Sequence, residues 1–175
     1  MTDAARPILR SYDEAWRRLV ARLDGLQDEE LFWEPVPGAW TVRRGASDAW
    51  EIDGGGGGPG PTPAPVTTIA WRVVHVGAGA LGGFTGLRFG EGWPEITADM
   101  PTVAASVVPY LEARYRAWVD ALAGLDDAGW TAPLGDAWGQ YAPDSTIDLA
   151  LHVLDEFVHH GAEIALLRDL YRERA

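Results

Sequence analysis

The residues best suited to chemistry lie in one run, His152–Val153–Leu154–Asp155–Glu156–Phe157–Val158–His159–His160, which holds three of the four histidines. Glu156 and His160 are four apart, so on a helix they stand one above the other on one face. His75, the remaining histidine, lies in a separate apolar stretch, where a facing helix would supply a third donor. Two imidazoles and one carboxylate form a donor set used by catalytic zinc, with a fourth position left open.

Projected as a helix, the last segment has an apolar arc containing Leu149, Val153, Leu154, Phe157, Val158, Ile164, Ala165, Leu167 and Tyr171. His160 falls inside this arc and Glu156 at its edge, next to Glu163. His159 falls outside, toward solvent, and His152 sits at the border, one turn before Glu156. Arg168 interrupts the arc near the helix end, where a long side chain is expected to reach water. An inward glutamate needs compensation, because an unpaired carboxylate in an apolar interior is costly or protonates. A divalent ion supplies it. The competing explanation is an arginine, Arg72 or Arg114, paired with Glu156 beside a hydrogen-bonded core histidine. By spacing alone, His75, His152 and Glu156 are a second possible donor set.

Helices must position these groups. Pro7 suits a first helical turn, and Ile8, Tyr12, Ala15, Trp16, Leu19, Val20 and Leu23 recur at helical spacing to about Leu26. Thr67 or Thr68 can cap a second helix from Ile69 to about Gly83. A third starts at Pro101 and ends by Gly124; Pro109 predicts a kink or a later start. Asp144 or Ser145 caps the last, which runs to about Arg172. Four helical segments without convincing strand pairs predict an all-α, single-domain four-helix bundle over residues 1–175 with long connecting loops. The connection at 27–66 has room for a short hairpin or extra turns. Within it, residues 54–65 are low-complexity glycine and proline, expected to form a flexible surface loop. A phosphate-cradling loop is excluded there, since no GK[ST] follows and no strand precedes it.

Composition limits the function. A chain of 175 residues with 47% hydrophobic content suits one globular core. A net charge of −12 argues against nucleic acid and against an anionic membrane surface. There is no cysteine, so any metal site uses nitrogen and oxygen donors, and any thiol chemistry needs a thiol brought by a substrate. The polar N-terminus is no signal peptide and no apolar run can span a bilayer, so the expected location is cytoplasmic. Most of the nine tryptophans are expected as core or interface filler.

The segments PGAWTVRR at 37–44, WRVVHVG at 71–77 and LHVLDEFVHHGAEIALLRDLY at 151–171 resemble the DinB-like superfamily of metal-binding four-helix bundles. Many members hold their ion with three histidines, one on the second helix and a pair four apart on the last. His75 and His160 match two of these, and Glu156 takes the remaining place. That departure resembles the mycothiol-dependent maleylpyruvate isomerase branch, whose zinc is held by two histidines and a glutamate. The resemblance implies His75, Glu156 and His160 as ligands of zinc or nickel, without His152 or His159. It also implies thiol transfer or isomerisation with a low-molecular-weight thiol such as mycothiol or bacillithiol. Trp40 and Trp71 are then candidate pocket walls, and Arg44 and Arg72 candidates to bind an anionic thiol cofactor. A small-molecule substrate and a homodimer are expected. The isomerases carry a second domain that contributes to the active site; with none in these residues, a second subunit completes the pocket or the chemistry differs. Metal-assisted hydrolysis without a thiol, and a non-catalytic metal- or small-molecule-binding bundle, are the alternative functions.

Overall fold

A computed structural model describes residues 3–56, 61–90 and 92–174. Four long helical rods form the core. The first is α1 (Ala5–Leu23), followed by the single turn α2 (Asp28–Leu31). The second rod joins α3 (Ile69–Val74), a π-helical stretch (His75–Gly83) and α4 (Phe84–Phe89). The third is α5 (Val107–Ala123). After the short α6 (Asp127–Thr131), α7 (Thr146–Arg172) is the fourth. The all-α bundle expected from the apolar spacing is therefore present.

The rods are held by interlocking apolar side chains. Tyr12, Trp118, Phe157, Leu111, Val73, Val153 and Ile164 are all essentially inaccessible to water. Tyr12 stacks on Phe157 and meets Trp118 edge-on. Its hydroxyl donates to the Ala150 carbonyl oxygen at 2.7 Å, so the polar end of the ring is satisfied where it crosses from α1 to α7.

Caps set where the rods begin. Ser145 and Asp148 form a reciprocal capping box at the start of α7, and the Thr68 hydroxyl accepts from Trp71 N–H at the start of α3. Pro109 causes no kink. A 3₁₀ turn at Ala104–Ser106 delays α5 to Val107, which leaves the proline in the first turn, where no N–H is needed.

Two features depart from the sequence-based expectation, and one fills a connection it left open. A two-stranded antiparallel hairpin, β1 (Val42–Arg44) with β2 (Trp50–Ile52), forms in the 27–66 connection, with Arg43 opposite Glu51. The second rod continues past Gly83 to Phe89. Arg168 does not reach water: its side chain is 1% exposed, because Glu30 of α2 receives it. Its guanidinium donates to both Glu30 carboxylate oxygens, at 2.6 and 3.1 Å, and to the Arg22 and Asp24 carbonyl oxygens at the C-terminal end of α1. One buried arginine thereby satisfies a buried carboxylate and the open end of a helix.

Of the loop expected at 54–65, residues 57–60 lie outside the described residues. Gly54 and Gly55 before them adopt positive φ of 66° and 72°, and a Cβ on Gly54 would strike the Trp40 ring. Among the described residues, no helix is long and apolar enough to cross a membrane.

Candidate metal centre

The second and fourth rods run antiparallel, with Arg72 opposite Glu163, His75 opposite Glu156, Phe84 opposite His152 and Arg88 opposite Thr146. His75, Glu156 and His160 meet on this seam. His75 Nε2 lies 3.3 Å from Glu156 Oε2, and His160 Nε2 lies 3.2 Å from the same oxygen. The imidazoles cross nearly at right angles with centroids 4.6 Å apart. One donor atom from each residue lies within 4.8 Å of the other two.

These separations suit a shared ion. Two donors each about 2.1 Å from one tetrahedral centre are roughly 3.4 Å apart. The two histidine-to-carboxylate distances are close to that edge. The side chains of His75, His160 and Glu156 are 16%, 12% and 29% exposed, so the trio is sheltered and still reachable. The donor set therefore fits a divalent ion.

The arginine alternative is not what the structure contains. Arg114 lies over the Tyr110 ring and donates to the Tyr110 carbonyl oxygen. Arg72 pairs with Glu163, not Glu156: Nε lies 2.9 Å from Oε2, and Nη2 donates to Oε1 at 3.2 Å. Glu156 thus has two imidazoles facing it. Hydrogen bonds from His160 and then His75, opposed by partial burial, hold its carboxyl well below the usual carboxylate range.

Glu163 has a second task. His160 Nδ1 is 2.6 Å from Glu163 Oε2, the separation of a charge-assisted hydrogen bond. With Nδ1–H donating there, Nε2 faces Glu156: its N–H donates to that carboxylate while the ring is protonated, and its lone pair becomes available to an ion once that proton is lost. Carboxylate–histidine pairs of this kind fix the tautomer of metal ligands. The Arg72 Nη1 approach to the same Nδ1, at 3.3 Å, is then a contact and not a donated bond. Burial lowers the affinity of His160 for a proton, but Glu156 and Glu163 outweigh it, and the net shift is upward from the ordinary histidine value. In the sequence Glu163 stands out only as a neighbour of Glu156 in projection; its signal is the three-residue step from His160.

His159, His160 and Glu163 form a second cluster with donor atoms close together. Arg72 already neutralises Glu163, and the His159 side chain is 59% exposed. Among the described residues no arginine forms an ion pair with Glu156, although Arg72 lies near enough to feel its charge. His152 joins neither cluster; its ring lies edge-on to Phe84.

The hairpin builds one wall. Thr41 N–H donates to Asp53 Oδ2, Trp40 exchanges backbone hydrogen bonds with Val66 and Thr68, and the Thr68 hydroxyl donates to Thr41 Oγ1. The Asp53 carbonyl oxygen accepts from Trp71 Nε1 at 2.8 Å. Held this way, Trp71 stacks on His75 at 4.9 Å and Trp40 tilts against Trp71 at 5.9 Å. Arg44 lies on β1 beside Asp48 and over the Trp50 ring. Of the four candidate pocket residues, Trp71 and Arg72 touch the donor histidines, Trp40 touches Trp71, and Arg44 is engaged with Asp48 and Trp50.

The π-helical stretch begins at His75. It lets glycine face α5: a Cβ on Gly77 would lie 2.2 Å from the Tyr110 ring. Wide turns of this kind are frequent where a helix carries a functional side chain.

No curated protein and no solved structure matches the chain. The family model of the DinB superfamily matches residues 11–46 and 50–164, which include every donor and its supporting carboxylate. With the helical rods and the His/Glu trio on the expected seam, the chain belongs to the DinB superfamily.

Proposed function

We propose that the protein is a metal-dependent enzyme in which His75, Glu156 and His160 hold zinc or nickel and a low-molecular-weight thiol, mycothiol in the first place, attacks a small electrophilic substrate. The observation that carries this reading is the convergence of two imidazole Nε2 atoms on one oxygen of a sheltered glutamate. A bound divalent ion supplies Lewis acidity at the position that three protein donors leave open. Glu163 holds the His160 tautomer, Arg72 holds Glu163, and the Trp40–Trp71 pair restricts water on the hairpin side. The protein has no cysteine, so the sulfur nucleophile comes with the cosubstrate. An anionic thiol would share Arg72 with Glu163 or Arg44 with Asp48, the two candidate cations for it.

A homodimer would cover the outer face of α7, where Leu151, Val158, Leu166 and Leu170 are exposed; sedimentation measures it directly. The decisive experiment uses untagged protein. Elemental analysis should return one divalent ion per chain, lost in His75→Ala and His160→Ala and kept in His159→Ala. A panel of thiols with electrophilic acceptors then reads thiol consumption. Turnover of esters or amides by the metal-loaded protein without thiol would replace this reading with metal-assisted hydrolysis. Undiminished metal content in both His75→Ala and His160→Ala would remove its basis.

A further inference from the structure

One turn of α7 below Glu156, about 6 Å along the helix axis, the seam opens into a separate cavity of about 400 Å³. That volume lies within the range of small-molecule sites, roughly 300–1,000 Å³. His152 meets the Phe84 ring edge-on at 5.4 Å, and Phe84 stacks on Trp138 at 6.0 Å with the rings 15° apart. Tyr141, 55% exposed, adds a further ring at the border.

Apart from His152, which also lines it, the ionisable groups of this cavity have one sign. Asp144 and Asp148 line it, and its described lining contains no arginine. The chain has no lysine at all. Hydrogen bonds from the Ser145 hydroxyl and backbone N–H keep Asp148 ionised, lowering its pKa from the ordinary aspartate value. Arg88, one turn along α4 from Phe84, is turned to the Thr146 hydroxyl at 3.0 Å. Aromatic faces attract cations through their quadrupole, and carboxylates beside them add charge complementarity.

We propose that this cavity is a binding site for a small aromatic cation of the benzylammonium class, its ring against Phe84 and Trp138 and its ammonium group toward Asp144 and Asp148. Leu134 and Leu149 supply the apolar surface that a ring requires and a bare metal ion does not. The site does not depend on an ion at His75, Glu156 and His160, although a ligand here would lie beside that centre.

The test is calorimetric and fluorescence titration of the full chain, metal-free and zinc-loaded, with benzyltrimethylammonium, which cannot ligate a metal. Benzyl alcohol and phenylacetate are the neutral and anionic comparators. Binding of the cation in both protein forms, about tenfold or more tighter than benzyl alcohol, is the expected result. Asp144→Asn should weaken the cation severalfold and leave benzyl alcohol unchanged; Asp144 bonds Tyr141 and Leu134 through its backbone, and those bonds survive the change. Trp138→Ala should remove about tenfold or more of the affinity. The proposal is overturned if the cation does not bind, if either comparator binds as tightly, or if Trp138→Ala of native circular dichroism keeps full affinity. Failure here would leave the metal stoichiometry of the histidine variants untouched, so the two readings fall separately.

Discussion

His160 Nδ1 and Glu163 Oε2 are 2.6 Å apart, one helical step along α7, and this pairing leaves the opposite nitrogen of the ring for the Glu156 side of the seam. Glu163→Gln keeps the shape and removes the strong acceptor. Loss of such a supporting carboxylate typically costs about 10–100-fold in metal affinity. Competition titration with a chromophoric chelator should show a fall of that size, with stoichiometry at saturation unchanged. A complete loss of the ion would instead make Glu163 a direct ligand, as in the cluster with His159.

The pH dependence follows from the same pair. Glu156 and Glu163 together raise the pKa of His160 above the ordinary histidine value of about 6.5, against the pull of burial. A bound ion must displace that proton, so affinity falls by up to tenfold per pH unit once the pH drops below the raised value. The loss therefore begins above about pH 6.5. Glu156 is held well below the usual range and stays anionic throughout this window. In Glu163→Gln one raising influence is gone, and the decline should move to lower pH. In chelated protein the stabilisation from a raised histidine is complete below about pH 6.5 and lost as pH climbs through the folded value. The melting temperatures of wild type and Glu163→Gln, recorded with chelator, should accordingly converge as the pH rises above about 6.5, as far as His160 separates them.

Residue order offers the His75, Glu156 and His160 trio through two regularities, a four-residue step on one helix and a lone histidine on another apolar segment, but the same regularities also offer His75, His152 and Glu156, and the family resemblance makes the choice. The four rods followed from apolar spacing. Arg168 could not be read so. Its partner Glu30 is 138 residues away, and nothing local distinguishes a buried arginine from one that curls out to water. The hairpin strands are three residues each, too short to establish an alternating pattern. His75–Gly83 is rich in glycine and alanine, so it offers no side-chain periodicity by which a π-helical stretch could be told from an α-helical one.

The Arg168–Glu30 pair should behave as a single unit in stability measurements. Both side chains are at most 3% exposed, and the guanidinium also closes the end of α1. Arg168→Met alone strands a buried carboxylate and should cost about 3–5 kcal/mol. Glu30→Leu alone strands the cation to a smaller extent, since the Arg22 and Asp24 carbonyl oxygens remain as acceptors. The double variant should be more stable than the sum of the two losses predicts, by about 1 kcal/mol or more. Urea unfolding of the four proteins closes the cycle, and strict additivity would refute the coupling.

Gly77→Ala tests whether the wide turn after His75 is held by packing against α5. The added methyl would lie 2.2 Å from a Tyr110 ring carbon, and that ring is 6% exposed with the Arg114 guanidinium 3.7 Å from its centroid. The ring cannot step aside without disturbing its contact with Arg114 or moving the α3–α4 rod. In an α-helix, alanine for glycine would gain about 1 kcal/mol; here overpacking should reverse the sign and cost about 1–3 kcal/mol. Any shift of the rod would also move His75, two residues away, relative to Glu156. Chemical denaturation should therefore show destabilisation, and the same preparation should bind zinc more weakly. A stabilised variant with native affinity would mean that α5 yields at this point and does not fix the position of His75.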